Sequence, residues 1–309
     1  MSETLPATAE RWPVLHYDDW KDTLQTVQLW TQIVGKIRLR QEFFVNHWWH
    51  VALYVTQRGL TTTMMPYRDG RTFAIDFDFL AHALRIAECD GRSVQFALEP
   101  MSVATFYRQT MEALGELDIE VKIDRKANDI PGDPILFDRD TVHASYDRAY
   151  MERAWRVLLQ ADRLCKAFRS GFIGKVSPVH FFWGAFDLAV TRFSGRTAPP
   201  HPGGMPNVAD SVMREAYSHE VQSVGFWFGG YGLEASFYSY AYPTLPGFEK
   251  AAVKPHAAGW SDQLREFLLP YDAVRTSSDP DGDVLDFFSS TYEAAASLAS
   301  WDRAALERR

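Results

Sequence analysis

Residues able to transfer protons gather in the second half of this 309-residue chain, on and around strand-like stretches. His180 and His219 are the expected general acid or base, because the pKa of a free imidazole lies near neutrality. Asp187 or Glu220 would orient the imidazole. The alternative interpretation is that these side chains bond to each other across a sheet and serve the fold alone.

Three arginines lie in the same part of the sequence. Arg192 and Arg196 follow Asp187 on the strand-like stretch, and Arg214 precedes His219. A planar guanidinium group holds carboxylate or phosphate groups through paired hydrogen bonds. We therefore expect the site to bind a small molecule with an anionic group.

A divalent-metal site is a second interpretation of these residues. Imidazole nitrogens and carboxylate oxygens are ligands of zinc and iron. The ligands would be His180, His201 and His219, with Glu215 or Glu220. Their spacing matches no known metal motif, and the sequence indicates no particular cofactor.

Aromatic residues make up 14% of the chain and suggest a third interpretation, a protein that binds a flat or apolar ligand without changing it. The expected aromatic surface consists of Trp183, Phe226, Trp227, Tyr238, Tyr240 and Tyr242. The three tyrosines alternate with small residues, so their phenols share one sheet face. Such a row also stabilises a sheet through cross-strand pairs. If every aromatic residue belongs to the core, the protein has a structural or assembly role.

Residues 194–206 (SGRTAPPHPGGMP) predict a long loop, because their four prolines exclude regular structure. Long loops in compact domains often cover binding sites. We expect this loop, with His201, to roof the small-molecule site.

Start and stop signals predict four main helices. They are residues 19–34 ended by Gly35, residues 103–117 capped by Ser102, a long helix capped by Asp147, and a last helix started by Asp279 and Pro280.

Alternating patterns predict antiparallel strands. Asp69-Gly70 and Asp90-Gly91 indicate hairpin turns, because this dipeptide tolerates positive φ. Residues 179–192 are interpreted as one strand, which places His180 with Arg192 on one face and Asp187 on the other. Further strands are expected at residues 48–55, 220–228 and 235–242, the last two joined by a turn in FGGYGL.

The two halves of the sequence resemble each other weakly. IVGKI and FIGKV occupy similar places, and residues 103–113 (VATFYRQTMEA) align without gaps to residues 284–294 (VLDFFSSTYEA). We predict an α+β fold of two similar units, each a helix, an antiparallel meander and a helix, packed as one pseudo-duplicated globule. Residues 1–140 would form the first unit and residues 141–309 the second, which carries the site.

Charge and composition exclude several classes of protein. A net charge of −8 and a pI near 5.6 argue against a nucleic-acid binder. No apolar run reaches the roughly 18 residues of a membrane span, and MSETLPATAERW does not resemble a signal peptide. Cys89 and Cys165 are expected to be buried thiols in a reducing compartment. We expect a cytoplasmic protein; the sequence indicates no oligomeric state.

Several long passages resemble a bacterial family of domains of unknown function (number 5996). They are residues 12–39, 54–67, 174–204, 214–227 and 237–248, which include WPVLHYDDW, YVTQRGLTTTMMPY and REAYSHEVQSVGFW. The resemblance covers nearly the whole chain. It implies an architecture that recurs in bacteria and implies no activity, cofactor or catalytic residue.

Overall fold

The structure is a computed structural model that describes residues 11–308. It combines helices with antiparallel sheets, which confirms the predicted α+β class. Within these residues, no helix is both long enough and apolar enough to cross a membrane. The helices are α1 (Tyr17–Gln41), α2 (Val103–Glu116), α3 (Arg148–Ser170), α4 (Asp210–Ala216), α5 (Tyr271–Arg275), α6 (Pro280–Leu298) and α7 (Arg303–Leu306).

The first sheet has strand order β1-β2-β4-β5-β6, with β3 paired to β4. Its strands are β1 (Tyr54–Val55), β2 (Gly59–Thr61), β3 (Met65–Pro66), β4 (Thr72–Asp78), β5 (Ala83–Glu88) and β6 (Ser93–Ala97). Phe77 on β4 stacks on Phe106 of α2, which stacks in turn on Trp30 of α1. This aromatic stack joins both helices to the buried sheet face.

The second sheet has strand order β11-β12-β10-β9-β8-β7. Its strands are β7 (His180–Phe182), β8 (Asp187–Thr197), β9 (His219–Gly230), β10 (Leu233–Tyr242), β11 (Gly259–Ser261) and β12 (Glu266–Pro270). Leu188, Phe226 and Phe237 are paired across the three central strands and fully buried, so they mark the inner face of this sheet. Helices α3 and α6 pack against it.

Contacts made by β7 and Trp183 help to join the halves of the chain. Leu53 and Phe181 exchange backbone hydrogen bonds of 2.9 and 2.8 Å, which brings the edge of the first sheet beside β7. The indole of Trp183 lies directly against Gly35 of α1 and donates a 2.8 Å hydrogen bond to the Val51 carbonyl. One continuous hydrophobic core therefore includes residues of both halves.

Local signals predict three of the four helix starts correctly, whereas the first helix begins at Tyr17 without a side-chain cap. The side chains of Ser102, Asp147 and Asp279 each accept a hydrogen bond from the first turn of their helix. The FGGYGL turn between β9 and β10 is also confirmed. These features depend on residues only a few positions apart, so the sequence alone determines them.

Four predictions are wrong. Helix α1 continues through Gly35, where the missing side chain admits Trp183 instead of ending the helix. The predicted strand at residues 48–55 is mostly a turn over Asn46–Val51. Cys89 is exposed; Cys165 is buried, and both are free thiols.

The fourth error concerns the strand at residues 179–192, which is a hairpin. Residues 183–186 form a turn in which Phe186 has φ 59° and donates a 2.8 Å hydrogen bond to the Phe182 carbonyl. The turn pairs His180 with Ala189, and paired residues share a face. His180 therefore lies on the face of Asp187 and not on that of Arg192.

Because Trp183 fills the space beside Gly35, we expect Gly35→Ala to lower the free energy of unfolding by about 1–3 kcal/mol. A Cβ atom at this position would lie 2.2 Å from the indole ring. Gly115→Ala is the matched control, since a Cβ atom there meets nothing within 4 Å. We expect this second helical substitution to stabilise by up to about 1 kcal/mol. Urea unfolding measures the change in unfolding free energy for both variants. Equal changes for Gly35→Ala and Gly115→Ala would contradict the contact between Gly35 and Trp183.

Candidate functional site

The outer face of the second sheet, opposite the helices, carries polar and aromatic side chains. Strand register places on it Asp187, Thr191, Ser223, Trp227, Tyr238, Tyr240 and Glu266. We call the group formed by Asp129, Asp187, Glu266, Tyr217, Tyr238 and Tyr240 the outer-face site.

Gly225 makes the central contact of the outer-face site possible. It lies between Ala189 and Tyr238 in the sheet, and a Cβ atom there would lie 2.5 Å from the phenol oxygen. With no side chain in the way, Tyr238 lies across β9 and donates a hydrogen bond to the Asp187 carboxylate on β8. Alternating strand geometry thus joins two residues 51 positions apart.

A roof formed by residues 198–217 covers this face. Tyr242 donates a 2.9 Å hydrogen bond to the Pro199 carbonyl, and His201 stacks on Tyr217 with ring centroids 4.9 Å apart. Tyr217 lies 2.8 Å from the Tyr240 hydroxyl, oxygen to oxygen. The predicted loop around His201 therefore does cover part of the second sheet.

Asp129 reaches the same region from the segment before α3. Its backbone N–H donates a 3.0 Å hydrogen bond to the Pro206 carbonyl of the roof. Its carboxylate lies against Gly184, where a Cβ atom would lie 2.0 Å from Oδ2. Asn207 reinforces the contact by donating a 2.7 Å hydrogen bond to the Ile130 carbonyl.

Burial raises the pKa of the three carboxyl groups of this site. It raises the pKa of Asp129 to about 6. Burial, supported by the Asp129 carboxylate and opposed by the hydrogen bond from Tyr238, raises the pKa of Asp187 to about 7. Burial and the neighbouring Asp187 carboxylate raise the pKa of Glu266 to about 8. Within residues 11–308, no lysine or arginine offsets these effects. The group can therefore exchange protons near neutral pH.

His180, the first predicted acid or base, lies away from the phenols, near the join between the halves. Its ring packs 5.8 Å from Trp49 and 5.6 Å from Tyr54, centroid to centroid. Burial, with the charges of Arg38 and Arg169, lowers its pKa to about 3. His180 is therefore neutral, and its buried Nε2 has no partner among the described residues.

His219 and Glu220 point to different neighbours. His219 Nδ1 lies 3.1 Å from the Ser218 hydroxyl, and its ring lies 5.6 Å from that of His47. Glu220 accepts hydrogen bonds from Ser194 and, at 2.7 Å, from Arg196. Glu220 therefore does not orient His219.

The predicted anion-binding arginines are dispersed. Arg192 is buried on the inner face, where its guanidinium group lies 3.5 Å from the Phe168 ring centroid and donates to the Phe168 carbonyl. Arg196 binds Glu220 and the Ala299 carbonyl. Arg214, on α4, is more than half exposed and lies 3.7 Å from Asp210, nitrogen to oxygen.

The predicted aromatic residues also separate. Trp183 is part of the join with α1, whereas Tyr240 belongs to the outer-face site. Trp227 is paired with Asp187 across the sheet and stacks on Tyr231 with centroids 6.3 Å apart. Of the six predicted aromatic residues, four thus lie on the roofed face: Trp227, Tyr238, Tyr240 and Tyr242.

The metal interpretation finds no support in the geometry. No group of three or more histidine, cysteine, aspartate or glutamate side chains in the described part of the chain is arranged to hold a metal ion. In particular, His201 stacks on Tyr217, whereas His180 packs against Trp49.

Sequence reasoning missed Asp129, Tyr217 and Glu266. Asp129 lies in a connecting segment without regular secondary structure, and Glu266 starts a short strand that was not predicted. The alternation of Tyr238 and Tyr240 was the available signal, because phenols on one sheet face imply neighbours on the flanking strands.

Comparison with known proteins gives a family and no activity. The chain matches a family of unknown function (DUF5996) over residues 12–308. It belongs to this family. No curated protein and no solved structure matches it.

The raised pKa values predict how stability depends on pH. A carboxyl group with a raised folded pKa stabilises the folded state fully below about pH 4, its unfolded pKa. That contribution is lost as pH rises through the folded pKa, here about 7 for Asp187. Neutral His180 acts oppositely, since its contribution is lost as pH falls from about 6.5 towards its folded pKa.

We expect Asp187→Asn to flatten the pH dependence of stability. Asparagine can still accept the Tyr238 hydrogen bond but cannot ionise. Between about pH 5 and about pH 8.5, the unfolding free energy should fall less in the variant, by on the order of 2 kcal/mol. Urea unfolding at both pH values measures this difference. The exposed Asp286 supplies the control Asp286→Asn, and identical pH slopes in both variants would refute the assignment.

Proposed function

We propose that the outer-face site binds a small molecule that carries an ammonium group beside a flat or apolar part. The observation that carries the proposal is that Asp187 and Glu266 are covered together with no cation among the described residues to offset them. An ammonium group would restore the favourable partner that buried carboxylates otherwise have in proteins.

The aromatic surroundings support the same ligand class. Trp227 lies beside Asp187, and its indole face stacks on the exposed ring of Tyr231. An ammonium group over such a face gains about 0.5–2 kcal/mol through cation–π attraction. Arg192 and Arg196 already bind protein groups, which favours a cationic ligand over the anionic one that the sequence suggested.

Proton-transfer catalysis is a second candidate function of the same site. General acid–base catalysis works best when the pKa of the group lies near the working pH. Asp187, with a pKa of about 7, meets this condition and holds the Tyr238 hydroxyl as a partner. The imidazole of His180 does not, because its pKa is about 3.

Three probes of similar shape test the ligand class: phenethylamine, 2-phenylethanol and phenylacetate. We expect phenethylamine to bind with a dissociation constant on the order of 1 mM, a reasonable affinity for so small a ligand. Binding should strengthen between about pH 6 and about pH 8.5, as the carboxyl groups lose their protons. Calorimetric titration measures all three probes.

Variants of the carboxyl groups locate the binding. The double variant Asp187→Asn with Glu266→Gln should lose phenethylamine binding, and Asp286→Asn should keep it. A preference for phenylacetate, or unchanged amine binding in the double variant, would refute the proposal.

We also infer that the two halves arose by duplication. Each half has a long helix, a meander and a closing helix, and β1, β2, β4, β5 and β6 correspond in order to β7, β8, β9, β10 and β12. The first strands of the two meanders meet at the Leu53–Phe181 pair, as expected for a twofold arrangement. Superposition of the halves tests this inference, and a match that requires reordered strands would contradict it.

A further inference from the structure

A lysine amine and an imidazole meet at one end of the roof. Lys175 Nζ lies 2.6 Å from His47 Nε2. Two aromatic rings flank the amine, with centroids 5.3 Å away at Trp49 and 4.9 Å away at Phe193. We call this pair the Lys175–His47 couple. It shares no residue with the outer-face site.

The surroundings of His47 determine which nitrogen carries its proton. Nδ1 lies 3.1 Å from the Ala216 carbonyl oxygen, which can only accept, so Nδ1 carries the proton and donates it. Nε2 therefore presents its lone pair to Lys175. The backbone N–H of His47 donates a 3.1 Å hydrogen bond to Glu215 Oε1, which fixes the ring further.

The backbone at this point is strained. His47 and Trp48 have φ values of 58° and 60°, so two successive residues with side chains adopt the left-handed conformation. A residue with a side chain persists in this conformation only where surrounding contacts hold it. Strain of this kind concentrates at functional sites. Here, the contacts that oppose it are those that aim the imidazole at Lys175.

The electrostatic environment lowers the pKa of both groups of the couple. Burial lowers the pKa of Lys175, and the carboxylate of Glu215 opposes this effect in part. Burial and the charge of Lys175 lower the pKa of His47. His219 is the other titratable group beside His47. Within residues 11–308, no carboxylate lies in ion-pair range of Lys175.

We propose that Lys175 is a nucleophilic amine that condenses with an aldehyde or ketone, with His47 as the base that accepts its proton. The aromatic walls favour a carbonyl compound with a flat apolar part. A lysine that loses its proton readily is the usual nucleophile for such substrates.

The condensation balances without a further reactant. His47 takes one proton from the ammonium group, and Nζ attacks the carbonyl carbon as the C=O π bond opens. The former carbonyl oxygen then receives one proton from protonated His47 and a second proton from Nζ. It leaves as water. Lys175 ends as a protonated imine, and the net charge is unchanged.

Reductive trapping with benzaldehyde and cyanoborohydride tests the proposal on the intact protein. Lys122 and Lys254 are matched internal controls, because both are exposed and neither has a carboxylate in ion-pair range among the described residues. At about pH 7, we expect Lys175 to be labelled about tenfold faster than either. Peptide mapping by mass spectrometry measures the three rates in one sample.

The variant His47→Gln separates proton transfer from positioning. Glutamine can hydrogen bond to Lys175 but cannot accept its proton. The labelling rate of Lys175 should therefore fall to that of Lys122. In addition, the labelling rate should reach its plateau only at a higher pH than in the wild-type protein. The proposal is overturned if Lys175 in the wild-type protein reacts no faster than the control lysines, a comparison that does not depend on the variant folding. It is also overturned if a folded His47→Gln protein, checked by circular dichroism, keeps the wild-type rate and pH profile.

Discussion

Three carboxyl groups lie half-buried at one face of a sheet, and within residues 11–308 no cation lies near enough to hold them ionised. Asp129, Asp187 and Glu266 come from a connecting segment and two separate strands, so their proximity is a property of the tertiary fold. Enclosing a carboxylate without a cation is costly, and the groups respond by keeping protons near neutral pH. This constraint explains both the electrostatics of the outer face and the ligand class that we propose for it.

Charged groups on the two faces of the second sheet have different surroundings. On the inner face, Arg192 lies between the rings of Phe168 and Tyr292 and donates to a backbone carbonyl, so its charge is met by protein groups. On the outer face, Asp187 has a phenol donor but no cation among the described residues. In the first arrangement, two aromatic rings and a backbone carbonyl already hold the guanidinium group. In the second arrangement, a cationic ligand would supply the missing partner, which is why we propose the roofed face, and not the arginine, as the binding surface.

Sequence signals that act over a few residues were sufficient to predict much of the secondary structure. Ser102 and Asp147 cap their helices as predicted, because a cap requires only the next turn of chain. The hairpin at residues 183–186 was missed, since Gly184 is the only typical turn residue in the sequence WGAF. That single error placed His180 on the wrong face. The site itself depends on strand register over tens of residues, as in the contact between Tyr238 and Asp187, and residue spacing alone does not determine that register.

The protonation of the enclosed carboxyl groups is the central claim, and carbon-13 NMR of the aspartate and glutamate side chains tests it most directly. Asp187→Asn and Glu266→Gln assign the two resonances by their loss. The account predicts that both carboxyl carbons titrate near neutrality, with midpoints near the pKa values of about 7 and about 8 given above. Titration of both groups below about pH 5, as for ordinary exposed carboxyl groups, would contradict it.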